Sequence, residues 1–155
     1  MALPKEGTQA PEFTLPSSTG KDVSLKDFKN KSRVVLYFYP KDDTPGCTVE
    51  ACAFRDNIKK IERLDAVVLG VSPDAVGAHE KFIKKFKLPF ILLSDESKQM
   101  LKDYGVWVKK SMYGREYMGV ARTSFIIGLD GKIEKVFEKV KPEGHAEEVL
   151  EHLSR

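Results

Sequence analysis

The apolar positions of this chain come in short blocks separated by polar and turn-forming residues. Val34–Tyr39 (VVLYFY) is a continuous apolar run rich in β-branched and aromatic side chains. Such a run predicts a strand covered on both faces, which Pro40 then stops. From Thr44 the period changes. Cys47, Ala51, Phe54, Ile58 and Ile61 form an apolar stripe, predicting a helix from Thr44 to about Leu64. Thr44 suits its N-cap and Pro45 its first position. Ala66–Ser72 predicts a second buried strand. Asp74–Lys87 predicts an amphipathic helix, with Val76, His79, Phe82, Ile83 and Phe86 at helical spacing. Phe90–Leu93 predicts a third strand, and Asp95–Tyr104 a short helix with Met100, Leu101 and Tyr104 inward. Ser124–Gly128 and Lys132–Val140 predict paired strands joined by a turn at Asp130-Gly131. Glu143–Leu153 predicts a closing helix with Ala146, Val149, Leu150 and Leu153 on one face. Residues 1–33 read as an extended lead-in with a hairpin around Thr19-Gly20-Lys21-Asp22.

Strands alternating with helices, then a hairpin and a last helix, predict an α/β fold with a central mixed β-sheet flanked by helices. A βαβ unit followed by ββα is the thioredoxin-like order. Here an N-terminal extension and inserted segments surround it. A length of 155 residues suits a single domain over 1–155.

Composition narrows the classes. With 41% hydrophobic and 32% charged residues, the chain reads as a soluble globular protein. No apolar run approaches the roughly 20 residues of a membrane span. Met1 to Phe13 lacks the regions of a secretory signal, so the expected compartment is the cytoplasm. A net charge of +3 does not support a nucleic-acid partner. The lysines of Lys81–Lys87 are expected on the solvated face of their helix.

Both cysteines lie in one window, Thr44-Pro45-Gly46-Cys47-Thr48-Val49-Glu50-Ala51-Cys52. In a reducing compartment a close cysteine pair reads as catalytic or metal-binding before structural. Cys47 falls in the first turn of the predicted helix, where unpaired backbone N–H groups and the positive dipole end favour an anion. A thiolate there could attack a peroxide O–O bond and become a sulfenic acid, which condenses with a second thiol. Gly46 leaves room for close approach, and the Thr44 hydroxyl is placed to reach the sulfur or a substrate oxygen. Cys52 is the obvious second thiol, but residues five apart on an intact helix are ~8.6 Å apart at Cα. A disulfide needs about 7 Å or less, so any Cys47–Cys52 bond requires the first turns to unwind. The competing reading makes both cysteines small buried hydrophobes. Zinc is disfavoured. The pair is half a ligand set, and His79, His145 and His152 lack ligand spacing and are expected at the surface or on helix faces.

Pro40-Lys41-Asp42-Asp43-Thr44-Pro45-Gly46-Cys47 resembles the peroxiredoxin signature, and TPGCTVEAC resembles its bacterioferritin-comigratory, or Q-type, subfamily. The likeness extends to GTQAPEFTL (7–15), VVLGVSPD (67–74), LPFILLSDE (88–96), YGVW (104–107) and ARTSF (121–125). The resemblance implies a thiol peroxidase acting on hydrogen peroxide and organic hydroperoxides. Cys47 would be the peroxidatic cysteine, Thr44 would bond thiolate and peroxide, and Pro40 would shield the pocket. Arg122 would stabilise the thiolate and polarise the peroxide. Glu50 would orient that arginine, although a first-turn glutamate exposed to solvent is an equal reading. Cys52 would be the resolving cysteine of an intramolecular disulfide, reduced by thioredoxin or a related dithiol protein. No cofactor is implied, and the subfamily is commonly monomeric, with dimers known. Trp107 is expected to pack. Two alternatives remain open: a one-cysteine peroxidase with an external thiol resolver, and a redox-sensing switch that signals to a partner.

Overall fold

A computed structural model describes residues 2–155. The elements, in chain order, begin with a short hairpin, β1 (Thr14–Pro16) and β2 (Asp22–Ser24), then a 3-10 turn over Leu25–Phe28. They continue with β3 (Arg33–Phe38), α1 (Pro45–Glu62), β4 (Ala66–Ser72), α2 (Val76–Phe86), β5 (Ile91–Ser94) and α3 (Gln99–Asp103). A second hairpin, β6 (Trp107–Met112) and β7 (Arg115–Val120), precedes β8 (Thr123–Ile127), β9 (Ile133–Phe137) and α4 (His145–Leu153).

The central sheet has the order β5-β4-β3-β8-β9. β3, β4 and β5 run parallel, while β8 is antiparallel to β3 and β9 antiparallel to β8. β3 is the middle strand, and the pleat divides its apolar run between two cores. Val34, Leu36 and Phe38 pack with Met100, Leu101 and Tyr104 and with the N-terminal Phe13 and Leu25. Val35, Tyr37 and Tyr39 face the other way, against Ala51, Phe54 and Ile61 of α1, Phe82 of α2 and Val149 of α4. A strand covered on both faces cannot alternate apolar with polar, which is why Val34–Tyr39 is apolar throughout.

The predicted elements all appear, with shifted ends. α2 begins at Val76 rather than Asp74, and α4 at His145 rather than Glu143, because Gly144 turns the chain at φ 81. α3 is only Gln99–Asp103, since Lys98 takes a left-handed conformation (φ 65). Asp95 stands before it, its carboxylate accepting the Leu101 N–H at 2.8 Å. β9 ends at Phe137, short of Val140. The β6–β7 hairpin had no counterpart in the sequence reading. It turns through Tyr113 and Gly114, both at positive φ, as a two-residue loop demands.

Of the two placements expected for the histidines, surface or helix face, His79 on α2 and His145 on α4 take the helix face, and both are fully buried. Each has its ring satisfied by polar partners: the buried Asp42 and the Leu93 carbonyl for His79, and the buried Ser124 with the exposed Glu148 for His145. Among the described residues, no helix is long and apolar enough to cross a membrane.

Candidate functional site

The site forms where β3 ends and α1 begins. β3 delivers the chain to Pro40, which is half-buried, and the loop through Asp43 turns it at φ 57. Thr44 is extended (φ −99, ψ 157), and Pro45 opens the helix. Proline has no N–H to leave unbonded, and its fixed φ already suits the helix. Gly46 and Cys47 follow in the first turn, where backbone N–H groups have no helical acceptor. The Thr48 N–H makes the first helical bond, to the Thr44 carbonyl at 2.8 Å.

Cys47 is buried at 1% exposure, with Tyr37, Tyr39 and Ala51 in the same cluster. Its sulfur accepts a hydrogen bond from Arg122 Nη2 at 3.0 Å. Arg122 comes from the far side of the sequence. It lies just before β8, whose Thr123 pairs with Phe38 at the end of β3, so the antiparallel register brings it to the start of α1. Its backbone is fixed there by the Val140 N–H on its carbonyl, 3.0 Å. A Cβ on Gly46 would stand 2.8 Å from Arg122 Nη2. Gly46 therefore makes room for the guanidinium, not only for a ligand.

The second arm of Arg122, Nη1, donates to Glu50 Oε1 at 3.1 Å. Glu50 is 1% exposed, which decides against the solvent-facing reading of this residue. Burial pushes its carboxyl up from 4.5 to about 7, against the pull of Arg122. Among the described residues its other oxygen, Oε2, has no partner, and neither does the buried Tyr37 hydroxyl. Burial raises the Tyr37 phenol well above its ordinary value, and Glu50, Cys47 and Asp42 raise it further. Tyr37 thus stays protonated beside the thiol, a neutral O–H at the floor of the site.

Thr44 is placed differently from expectation. Its hydroxyl donates to the Lys41 carbonyl at 2.9 Å. A hydroxyl has one hydrogen, so this Thr44 cannot also donate to the sulfur; its lone pairs remain to accept from a peroxide O–H. Cys52 is half-buried further along the unbroken α1, and both cysteines are free thiols. The helix separates them as its geometry requires, beyond disulfide reach. The structure thus gathers Cys47, Gly46, Glu50 and Arg122 in direct contact, with Pro40 and Thr44 in the entry loop and Cys52 apart.

Two groups beside the site carry no signal in the sequence. Tyr37 is one more residue of an apolar strand there, and nothing in its spacing distinguishes it from Tyr39. Lys110, on β6, feels the site: burial lowers its pKa, Arg122 lowers it further, and Cys47 opposes them. Its position was invisible because the hairpin carrying it was.

The described groups with metal-ligating geometry are Asp42, Asp74 and His79, whose ligand atoms lie within 4.8 Å of one another. Asp42 and His79 already use those atoms on each other and on neighbouring groups.

Residues 7–136 match the model of the AhpC/TSA family. The chain is 46% identical over 147 residues to peroxiredoxin Bcp of Bacillus subtilis, covering 95% of this chain and 93% of that one. Its backbone superposes on the Cys-to-Ser (position 47) mutant of PrxQ from Xylella fastidiosa with a TM-score of 0.93, at 35% identity, over 99% and 98% of the two chains. It also matches a Xanthomonas campestris bacterioferritin comigratory protein studied for alkyl peroxide reduction, with a TM-score of 0.87, 34% identity and coverage of 92% and 90%.

Proposed function

The chain belongs to the AhpC/TSA family as a Bcp/PrxQ-type peroxiredoxin with a thioredoxin-like fold, a thiol-dependent peroxidase, and from that premise we propose that Cys47 is its peroxidatic residue and Cys52 its resolving one. The observation that carries the reading is the 3.0 Å bond from Arg122 to the Cys47 sulfur at the start of α1.

The chemistry follows from the contacts. The Cys47 thiolate attacks the terminal oxygen of a hydroperoxide, the S–O bond forms as the O–O bond breaks, and the alkoxide or hydroxide leaves and takes up a proton. Arg122 presents N–H donors to the sulfur and to the oxygens on which charge develops. The free N–H groups of the first turn add donors from the other side. Thr44 accepts from the peroxide O–H and so orients it. Glu50 holds the other arm of Arg122, and Pro40 covers the entry from water. Cys47 is then a sulfenic acid. Once the first turns of α1 unwind, the Cys52 thiol displaces water from it and the disulfide forms. Family membership implies peroxide substrates and a thioredoxin-type reductant; we assign thioredoxin itself to this chain, acting in the cytoplasm. The likeness to the Xanthomonas protein supports alkyl hydroperoxides beside hydrogen peroxide as substrates.

The test is intact mass with peptide mapping after one equivalent of hydrogen peroxide. Loss of two hydrogens, mapped to a Cys47–Cys52 bridge, is expected. A persistent gain of one oxygen on Cys47 would instead establish a one-cysteine cycle with an external resolver. Cys47→Ser is expected to abolish peroxide consumption, and Cys52→Ser to leave the first oxidation intact.

A further inference from the structure

The loop that leads into Cys47 is anchored by a buried charge pair outside the reacting centre. Asp42 is 8% exposed and His79, on the inner face of α2, is 0% exposed. Asp42 Oδ2 meets His79 Nδ1 at 2.6 Å, and the other carboxylate oxygen accepts the Tyr39 hydroxyl. His79 Nε2 lies 2.8 Å from the Leu93 carbonyl. A carbonyl only accepts, so Nε2 carries a hydrogen, and the close approach of Nδ1 to Oδ2 places one proton between the two groups. With that shared proton the pair as a whole is neutral.

The loop is otherwise held by few groups. The Asp42 N–H donates to Asp74 Oδ2 at 2.8 Å, and an exposed ion pair joins Asp43 to Lys85 at 2.7 Å. The Thr44 hydroxyl closes the loop onto the Lys41 carbonyl, so Asp42 and Thr44 move together. Thr44 in turn accepts the first helical bond of α1. A displacement at Asp42 therefore reaches the N–H groups and the sulfur that meet peroxide.

We propose that His79 is a positioning residue for the peroxidatic site: by neutralising the buried Asp42 carboxylate it keeps the Pro40–Thr44 loop seated on α2 and β5, and so keeps the start of α1 in its reactive geometry. The inference rests on Cys47 as the peroxidatic residue. Its energetic signature is specific. Removing one partner of a buried pair strands the other charge, whereas removing both does not. Without His79, Asp42 has to reach water and takes the loop with it. Without either, the loop retains the Asp42 backbone bond and the Asp43–Lys85 pair.

The experiment compares wild type, His79→Leu and the double variant His79→Leu with Asp42→Ala. For each, it measures the second-order rate of Cys47 oxidation by hydrogen peroxide and the rate of Cys47 alkylation by iodoacetamide, which needs a thiolate but no oriented peroxide. His79→Leu is expected to slow peroxide oxidation about tenfold or more and to change alkylation by less than about threefold, because orientation and not the thiol itself is disturbed. The double variant is expected to recover to within about threefold of wild type, as removal of both charges predicts. A merely packed histidine gives the opposite order, since the second truncation enlarges the void. His79→Leu at the wild-type peroxide rate, or a double variant no faster than the single, overturns the proposal. Should His79→Leu fail to fold, a folded and active double variant supports it, and two unfolded variants overturn it. Wild-type protein whose Cys47 is not oxidised by peroxide refutes the peroxidatic assignment itself, and the proposal with it.

Discussion

Glu50 has one carboxylate oxygen on Arg122 and the other buried with no partner among the described residues. A buried carboxyl held at about 7 has a measurable consequence for stability. Between its ordinary value of 4.5 and about 7, the unfolded chain has released the proton and the folded protein retains it. The folded state then binds more protons, so this group makes stability fall as pH rises through that window, by an amount on the order of 3 kcal/mol in full. Glu50→Gln is expected to flatten the pH dependence of the urea midpoint between about pH 5 and 7. A variant with the wild-type slope would show that Glu50 is not the titrating group. Gly46→Ala tests the other side of Arg122. The added methyl meets Nη2 at 2.8 Å, so the guanidinium has to shift from the position in which it bonds the sulfur. A loss of about a hundredfold in kcat/KM is expected, the scale of removing one oriented donor, with little change in melting temperature. Cys47 was legible in the sequence because its turn residues are adjacent to it. The fate of Glu50 was not, since burial there depends on Arg122, 72 positions away. His79 sat on the predicted apolar face of α2, but its buried state depends on Asp42 and on the Leu93 carbonyl, which no periodicity reveals.

At the scale of the element, the proposed cycle gives α1 two opposed duties: to be wound when it presents Cys47 and unwound when Cys52 reaches it. Val49 lies between the cysteines and is 42% exposed, so it reports on winding with little disturbance of the core. Val49→Gly and Val49→Ala differ by about 1 kcal/mol in helix propensity, or roughly fivefold in an opening equilibrium. The glycine variant is expected to form the disulfide up to about fivefold faster than the alanine variant, and to tolerate correspondingly more peroxide before Cys47 reaches the sulfinic state. Rapid-quench mass spectrometry reads both quantities. Equal rates would mean that helix opening does not limit resolution. α1 was legible almost to its ends because capping, proline and a long apolar stripe agree. The β6–β7 hairpin was not, because both faces of its strands are largely exposed and carry no alternation to read. Its turn offered one usable signal, Gly114 between two polar, aromatic-bearing stretches.

Across the whole molecule, unwinding has a natural limit. β3 is paired along its length with β4 on one side and β8 on the other. Oxidation is therefore expected to remove hydrogen-exchange protection from the first turns of α1 and to leave β3, β4 and β8 protected. Loss of protection throughout the sheet would show that the disulfide form is globally loosened. The α/β architecture was readable from the chain because strand and helix periods alternate cleanly over long segments. The meeting of Cys47 with Arg122 was not, because it depends on β8 running antiparallel beside β3, a pairing of distant segments.

In the proposed cycle, the spacing of the two thiols on one continuous helix also governs how the protein meets its reductant. A bridge between Cys47 and Cys52 exists only in a chain whose helix start has come apart, so the oxidation state is written on the outside of the molecule. A passing dithiol protein need not sample every copy to find the few that require electrons. The wound copies hold a buried sulfur and offer it no bond to exchange, while the unwound ones display both the bond and the loosened segment around it. Demand for reducing power is thus announced by shape, and the announcement is withdrawn by the reaction that answers it.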